Sequence, residues 1–309
     1  MWFKKAIAYK KAALQESLGA PMDQLAAGCV PVWPEPDALD GILQAGIDSI
    51  PHCHLLYALN TDGIQISSNV SPTGIDISRR GQDVSGRPYH SANLPYRGLM
   101  ISPAYLSEVS QKRCITAVQA VSDQGTLLGF IGADFNLDEL PEIDATPAVD
   151  QDSTQYKGDP AIRSTVFMQS RMKSAMDGNI DQVMGVVEAL FREHGAFHTI
   201  LHFSSSRIVL WLYDDPYNYR LHGVDELLDP ELWLAYPSRR YPAQAKVSPD
   251  QLHLALEYFK VLREADENIY LRSASINIMN GVVGLTFSCD GSHYMQAREF
   301  LNKELSYWV

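Results

Sequence analysis

Four cysteines in 309 residues, none spaced as C-x-x-C, leave no disulfide framework and no thiolate pair to organise a metal site. Cys29, Cys53, Cys114 and Cys289 are scattered, which reads as reduced, mostly buried thiols in an intracellular, cytoplasmic protein. No apolar run approaches the roughly 18 residues of a membrane helix. The stretch "AIAYKKAAL" is interrupted by Lys10 and Lys11, so a secretory leader is not expected. Basic charge is also short: 25 Lys and Arg against 37 Asp and Glu give a net charge of -12, a surface that repels phosphate backbones. Nucleic acid is therefore not an expected partner. The one basic cluster, Lys4, Lys5, Lys10 and Lys11, shares a helix with Trp2, Phe3, Ile7 and Leu14 and reads as that helix's solvated face.

What is present is globular material. With 46% hydrophobic and 20% charged residues the chain can bury a core, and its length points to two domains. A first helix is expected over residues 2–18, stopped by Gly19 and Pro21. A second follows Pro36 and Asp37, with Leu39, Ile42, Leu43, Ile47 and Ile50 on one face. "HLLYALNTDGIQISSNV" reads as two strands joined at residues 60–63, where Asp62 and Gly63 favour the positive φ of a tight hairpin. "RCITAVQAVSDQGTLLGFIGADF" repeats the design around Asp123, Gln124 and Gly125. Between them, residues 74–110 form an aromatic, irregular stretch, too long for a plain connection and so expected to cover something. After Leu140, "PEIDATPAVDQDSTQYKGDP" reads as a linker.

The second half is expected to open with a helix over residues 161–194, closed by Gly195. Strands "FHTILHF" and "RIVLWLY" follow around a serine turn at 204–206, then an excursion rich in Pro and Tyr to residue 248. A helix over 249–265, strands "IYLRSASINIM" and "VVGLTFSC" around Asn280 and Gly281, and a last helix over 292–305 complete the chain. This order implies an α+β class, with an antiparallel sheet carrying helices on one face. It also raises an internal duplication, although no repeat shows residue by residue. The expected division is a helical segment 1–36, a domain 37–145, a linker 146–160 and a second α+β domain 161–309.

Candidate chemistry in the chain weighs against catalysis. His194, His198 and His202 stand four apart, but Gly195 ends the helix, and on a strand His198 and His202 would lie about 13 Å apart, too far to share a metal. His52 and His54 straddle Cys53 without a third ligand nearby. "HFSSSRIVLW" lacks the glycines of a phosphate cradle and the Gly-x-Ser-x-Gly elbow of a serine nucleophile. Cys289, Asp290 and His293 form the best enzyme candidate, yet Asp290 and Gly291 read first as the end of a strand, with Ser292 able to cap the last helix. No catalytic residue, metal or cofactor is expected.

Three stretches of the first half carry a resemblance. "DVSGRPYHSA" looks like an Asp-x-Ser-x-Arg-Pro-Tyr/Trp element, "ISPAYLSE" like a Ser-x-x-Tyr element, and "GTLLGFIGADFNLDEL" like a closing Gly-x-x-x-Gly-x-x-Gly-x-Asp strand. In this order they resemble the PDC sensor domains, the PAS-like family also called Cache, found in bacterial chemoreceptors and sensor kinases. The resemblance covers residues 37–140 and implies a PAS-like antiparallel sheet flanked by helices around a ligand pocket. Carried onto this chain, it implies Arg87 as a carboxylate clamp, Tyr89 and Tyr105 as pocket wall, and Asp134 as partner of a ligand ammonium. One departure stands out: Tyr89 is followed by His90 where amino-acid-binding members carry a second aromatic. The implied ligand is therefore a small carboxylate or amino-acid-like molecule.

The resulting expectation is an intracellular small-molecule sensor in signal transduction. No kinase, cyclase or methyl-accepting signature follows the sensor, so its output would be protein contact. Family members often pair through an N-terminal helix, which makes a homodimer an expectation. The alternatives are an interaction or scaffold protein that kept the fold and lost the ligand, and an enzyme using Cys289 and His293.

Overall fold

Gly19 and Pro21 do not stop the first helix. In the computed structural model, which describes residues 2–87, 94, 97–107, 111–140, 171–289 and 291–308, helix α1 runs Trp2–Cys29 with Pro21 inside it. A proline in a helix interior costs about 3 kcal/mol through its missing N–H and ring clash. Beyond it, Met22 and Leu25 are buried and extend the stripe of Phe3, Ile7, Leu14 and Leu18. At about 1.5–3 kcal/mol per fully buried apolar side chain, that stripe outweighs the proline. Helix α2, Pro36–Gly46, starts on its proline as expected and buries Leu39 and Leu43. No helix among the described residues is long and apolar enough to cross a membrane.

The chain forms two compact units, one comprising Met1–Pro147 with Trp233–Ala235, the other the remaining residues. Both are α+β with antiparallel sheets. The first unit contains β1 Leu55–Asn60, β2 Asn69–Ser71, β3 Gly74–Asp76, β4 Leu99–Ile101, β5 Tyr105–Leu106, β6 Arg113–Asp123 and β7 Thr126–Asn136. Their order is β3-β2-β1-β7-β6-β4, with β5 also on β6. The β6–β7 hairpin turns through Gln124 (φ 48) and Gly125 (φ 88), the paired positive angles of a two-residue hairpin. The earlier hairpin departs from its expected form: among its turn residues only Gly63 is left-handed, at φ 83. Instead, Asn60 Oδ1 accepts the N–H groups of Asp62 and Ile64 at 3.0 and 2.9 Å. The returning strand is then interrupted at Ser67, whose Oγ accepts the Ala58 N–H at 2.7 Å, and at Ser68, whose N–H donates to buried Asp40 of α2 at 2.8 Å.

Among the described residues of 74–110, the strands β3, β4 and β5 add to the sheet. Away from the hairpin turn, successive residues of β6 and β7 are buried, so both faces are covered there. On one face Gln119 donates to Asp23 of α1 at 2.9 Å, which places Ile115, Ala117 and Val121 on the same helix-covered side. On the other, Cys114, Val118 and Ala120 pack with Tyr57, Leu59, Val84, Tyr105 and Phe130. The candidate site grows from this second face.

The second unit repeats one pattern. Helix α3 (Ile180–Glu193) leads into β8 (Ala196–His202), β9 (Arg207–Leu212) and β10 (Asp215–Gly223). Helix α4 (Pro249–Glu264) leads into β11 (Leu271–Asn277), β12 (Val282–Phe287) and β13 (Ser292–Gln296), and α5 (Ala297–Leu301) follows. The order β10-β9-β8-β11-β12-β13 sets two three-stranded meanders side by side, joined at β8 and β11, whose burial alternates in the same pattern. The duplication is one of architecture. Fully buried Arg263 ties the unit together: its Nε and Nη2 donate to Asp177 at 2.7 and 2.8 Å and its Nη1 to the Leu271 carbonyl at 2.9 Å.

Three expectations change here. The helix expected from residue 161 is non-helical at 171–174; Ser174 caps a single turn, Ala175–Gly178, before α3, and residues 161–170, like the linker 146–160, lie outside the described residues. The Pro- and Tyr-rich excursion contains β10, which finds the open edge of β9. Residues 292–296 are β13 rather than the start of a helix, so Ser292 bonds Thr286 Oγ1 across the ladder at 2.8 Å instead of capping. The start of α4 is as read: Ser248 Oγ accepts the Gln251 N–H at 3.2 Å, and Gln251 Oε1 accepts the Ser248 N–H at 3.0 Å. Ser248→Ala is expected to cost about 1 kcal/mol. A urea midpoint identical to that of the parent would show that the cap contributes nothing.

Candidate functional site

Asp134 occupies the centre of the sheet. On β7 it stands opposite Thr116 of β6 and Leu55 of β1, and Tyr57 lies two residues further along β1 on the same face. Asp134 Oδ1 accepts two hydrogen bonds, from Thr116 Oγ1 at 2.7 Å and from the Tyr57 hydroxyl at 3.0 Å. Thr116 has one proton and gives it to Asp134, so the Tyr105 hydroxyl, 2.7 Å from Thr116 Oγ1, donates to it in turn. Among the described residues both bonds to the carboxylate go to Oδ1, leaving Oδ2 for another partner.

Two glycines of the β7 motif shape this arrangement. A Cβ on Gly132 would lie 2.5 Å from the Tyr57 ring, so the missing side chain is the space through which Tyr57 reaches Asp134. A Cβ on Gly129 would overlap the Leu59 carbonyl oxygen and stand 2.6 Å from the Trp33 ring.

A cavity of about 100 Å³ opens beside Asp134, lined also by Tyr57, His54, Gln65, Asn69, Ser107, Arg79 and Arg87. A second of about 370 Å³ adjoins it through shared Arg79, Gln82, Val84 and Arg87 and reaches Asp83 and Tyr105. Backbone bonds hold this wall to the first hairpin: Gln65 N–H to Gln82 O at 2.9 Å, Gly81 N–H to Gln65 O at 2.7 Å and Val84 N–H to Gly63 O at 2.9 Å. Burial raises the Asp134 carboxyl above its ordinary range, against the opposing pull of Thr116, Tyr57 and the charges of His54 and Arg87. His54 Nδ1 is buried without a hydrogen-bond partner among the described residues.

Of the four residues carried over by resemblance, Arg87 and Asp134 line one cavity, and Tyr105 lines the adjoining one and reaches Asp134 through Thr116. Tyr89, with His90, lies outside the described residues. Sequence reasoning missed Tyr57, Thr116 and Arg79. The one available signal was Thr116, a polar residue on the strand face whose neighbours Cys114, Val118 and Ala120 are apolar.

The other candidates do not converge. His52, at φ 62, and His54 precede β1 rather than sharing a strand. His198 and His202 lie on β8, both held below the usual imidazole range by burial, and the His198 ring packs tilted against Trp211 with centroids 4.7 Å apart. Cys289 is exposed, Asp290 lies outside the described residues, and His293 sits edge-on to Phe287 and Trp308. Among the described residues no three His, Cys, Asp or Glu side chains stand together as a metal site.

No family model matches the chain, and no curated protein matches it. Among solved structures it is similar to the sensory domain of the Campylobacter jejuni chemoreceptor Tlp3 with isoleucine bound, at 17% identity over 44% of this chain and 56% of that one, with a TM-score of 0.36. It is also similar to the ligand-binding domain of the Pseudomonas fluorescens chemoreceptor CtaA in complex with L-alanine, at 17% identity, 44% and 57% coverage and a TM-score of 0.32. A third, an extracellular ligand binding receptor from Desulfohalobium retbaense, matches at 17% identity over 45% of this chain and 25% of that one, with a TM-score of 0.34. The chain thus spans 56% of the Tlp3 domain's length.

Proposed function

We propose that residues 37–145 are the sensor domain of a signal-transduction protein and bind a small carboxylate or amino-acid-like ligand. Residues 1–36 are its helical preface, and 146–160 link it to the second α+β domain, through which the signal passes by protein contact. In this reading Arg87 holds the ligand carboxylate with its planar fork, and Asp134 holds the ammonium. The observation that carries the reading is Asp134: a buried carboxylate whose Oδ1 is fixed by Thr116 and Tyr57 while Oδ2 is left at a polar cavity shared with Arg87. A carboxylate in an otherwise apolar sheet is costly unless it meets a cation.

A cytoplasmic setting belongs to the same reading. Cys29 and Cys53 are free, buried thiols pushed by burial to about 11 and about 12, which suits a reducing compartment.

Calorimetric titration of the full chain with a panel of amino acids and small carboxylates tests the proposal. Arg87→Ala is expected to weaken the best ligand by roughly tenfold to a hundredfold, the worth of one charge-assisted hydrogen bond at about 1.5–3 kcal/mol. Binding left intact in that variant would sink the site assignment.

A further inference from the structure

Arg87 is not the only arginine in the wall. Arg79 lines both cavities with it, from the helical turn Ile77–Arg79 that follows β3. Its own partners are modest: Nη1 donates to Gln82 Oε1 at 3.2 Å, and Nε is 3.8 Å from Asp76, a carboxylate whose side chain is 54% exposed. Arg79 Nε is buried and has no hydrogen-bond partner among the described residues. A guanidinium brings five N–H donors in a planar fork, and a buried donor left over costs free energy until an acceptor meets it. The charged side chains lining the cavity beside Asp134 are Arg79, Arg87 and Asp134, two cationic and one anionic, beside His54. An ordinary zwitterionic amino acid uses one arginine and the aspartate and leaves Arg79 with only Gln82 and the half-exposed Asp76.

We propose that the ligand carries a second acidic group, and that it is an acidic α-amino acid. Its ammonium meets Asp134, its α-carboxylate meets Arg87, and its side-chain carboxylate meets Arg79. Gln82 Oε1, already bonded to Arg79, holds that guanidinium in place. This inference rests on the amino-acid-like reading of the same site and narrows it to one ligand class.

Titration calorimetry with L-aspartate, L-glutamate, L-asparagine and L-alanine tests it, on the parent chain and on Arg79→Gln. In the parent, one acidic amino acid should bind at least about tenfold tighter than either neutral one, the worth of a charge-assisted bond. Arg79→Gln should erase that preference while neutral ligands keep their affinity and the thermal midpoint stays put. Neutral amino acids binding as tightly as acidic ones, or Arg79→Gln weakening all four alike, overturns the inference and leaves the amino-acid-like reading standing. Binding of none of the four, with another small carboxylate held through Arg87, overturns the inference and keeps the carboxylate site.

Discussion

Asp134→Asn is expected to remove ligand binding and to stabilise the protein. The substitution keeps the acceptor Oδ1 that Thr116 and Tyr57 bond at 2.7 and 3.0 Å, so the local network survives. What goes is the charge. A ligand ammonium then meets an amide in a buried site, and truncating one side of a buried charged pair costs about 2–5 kcal/mol. A loss of at least about thirtyfold in affinity follows, since about 1.4 kcal/mol is tenfold.

The stability effect has the opposite sign. Burial raises the Asp134 carboxyl in the folded state above its unfolded value, so the folded chain binds that proton more tightly. Asp134 therefore weighs against the fold above its raised folded-state pKa, and the cost is relieved as pH falls toward the unfolded value. Asn removes the cost, so the gain is largest above the raised folded-state pKa and fades as pH falls below it; each kcal/mol recovered is about 2–4 °C in melting temperature. Ligand affinity of the parent chain should fall as pH drops through the raised pKa, because the protonated acid no longer balances an ammonium. Paired thermal melts and titrations across pH check both halves. A variant that melts lower at neutral pH, or still binds amino-acid ligands at full strength, contradicts this account of Asp134.

Two glycines three residues apart are expected to respond to alanine in different ways. At Gly129 the new methyl meets the backbone oxygen of Leu59 and stands 2.6 Å from Trp33, where β7 is paired with β1 on one side and with β6 on the other. Backbone inside a sheet cannot step aside, and overpacking of this kind costs about 3 kcal/mol, or roughly 6–12 °C. At Gly132 the methyl meets the ring of Tyr57 at 2.5 Å, a side chain that can swing away. Gly132→Ala should therefore cost about 1 kcal/mol, the worth of the Tyr57 to Asp134 hydrogen bond. Its larger effect is on the ligand, with affinity reduced about tenfold. Melting and titration of both variants separate the two roles. A Gly129→Ala chain that melts with the parent, or a Gly132→Ala chain that binds with parental affinity, would remove the packing argument for that glycine.

Much of the fold was readable from local chemistry. The hairpin turns at Gln124 and Gly125 because Gly125 takes positive φ at no steric cost where a two-residue loop needs it. Ser248 and Gln251 start α4 because their side chains answer orphaned backbone groups of its first turn, and Pro249 has no N–H there to leave unpaired. Where local chemistry failed, burial or strand pairing had overruled it. Pro21 should break a helix, but Met22 and Leu25 find a core beyond it. The stretches that became β10 and β13 read as loop and helix, yet each lies beside the open edge of a neighbouring strand.

The sequence by itself determined the two α+β halves, the hairpins at Gly63 and Gly125, and the candidacy of Arg87, Tyr105 and Asp134, because turn residues, periodicity and motif order are all local properties. Only the tertiary structure decided that Tyr57 and Thr116 fix one oxygen of Asp134 and that Arg79 joins Arg87 at the cavity. Those facts depend on strand register and on a wall stitched to the first hairpin across some 20 residues, and neither is written in any one stretch of the chain.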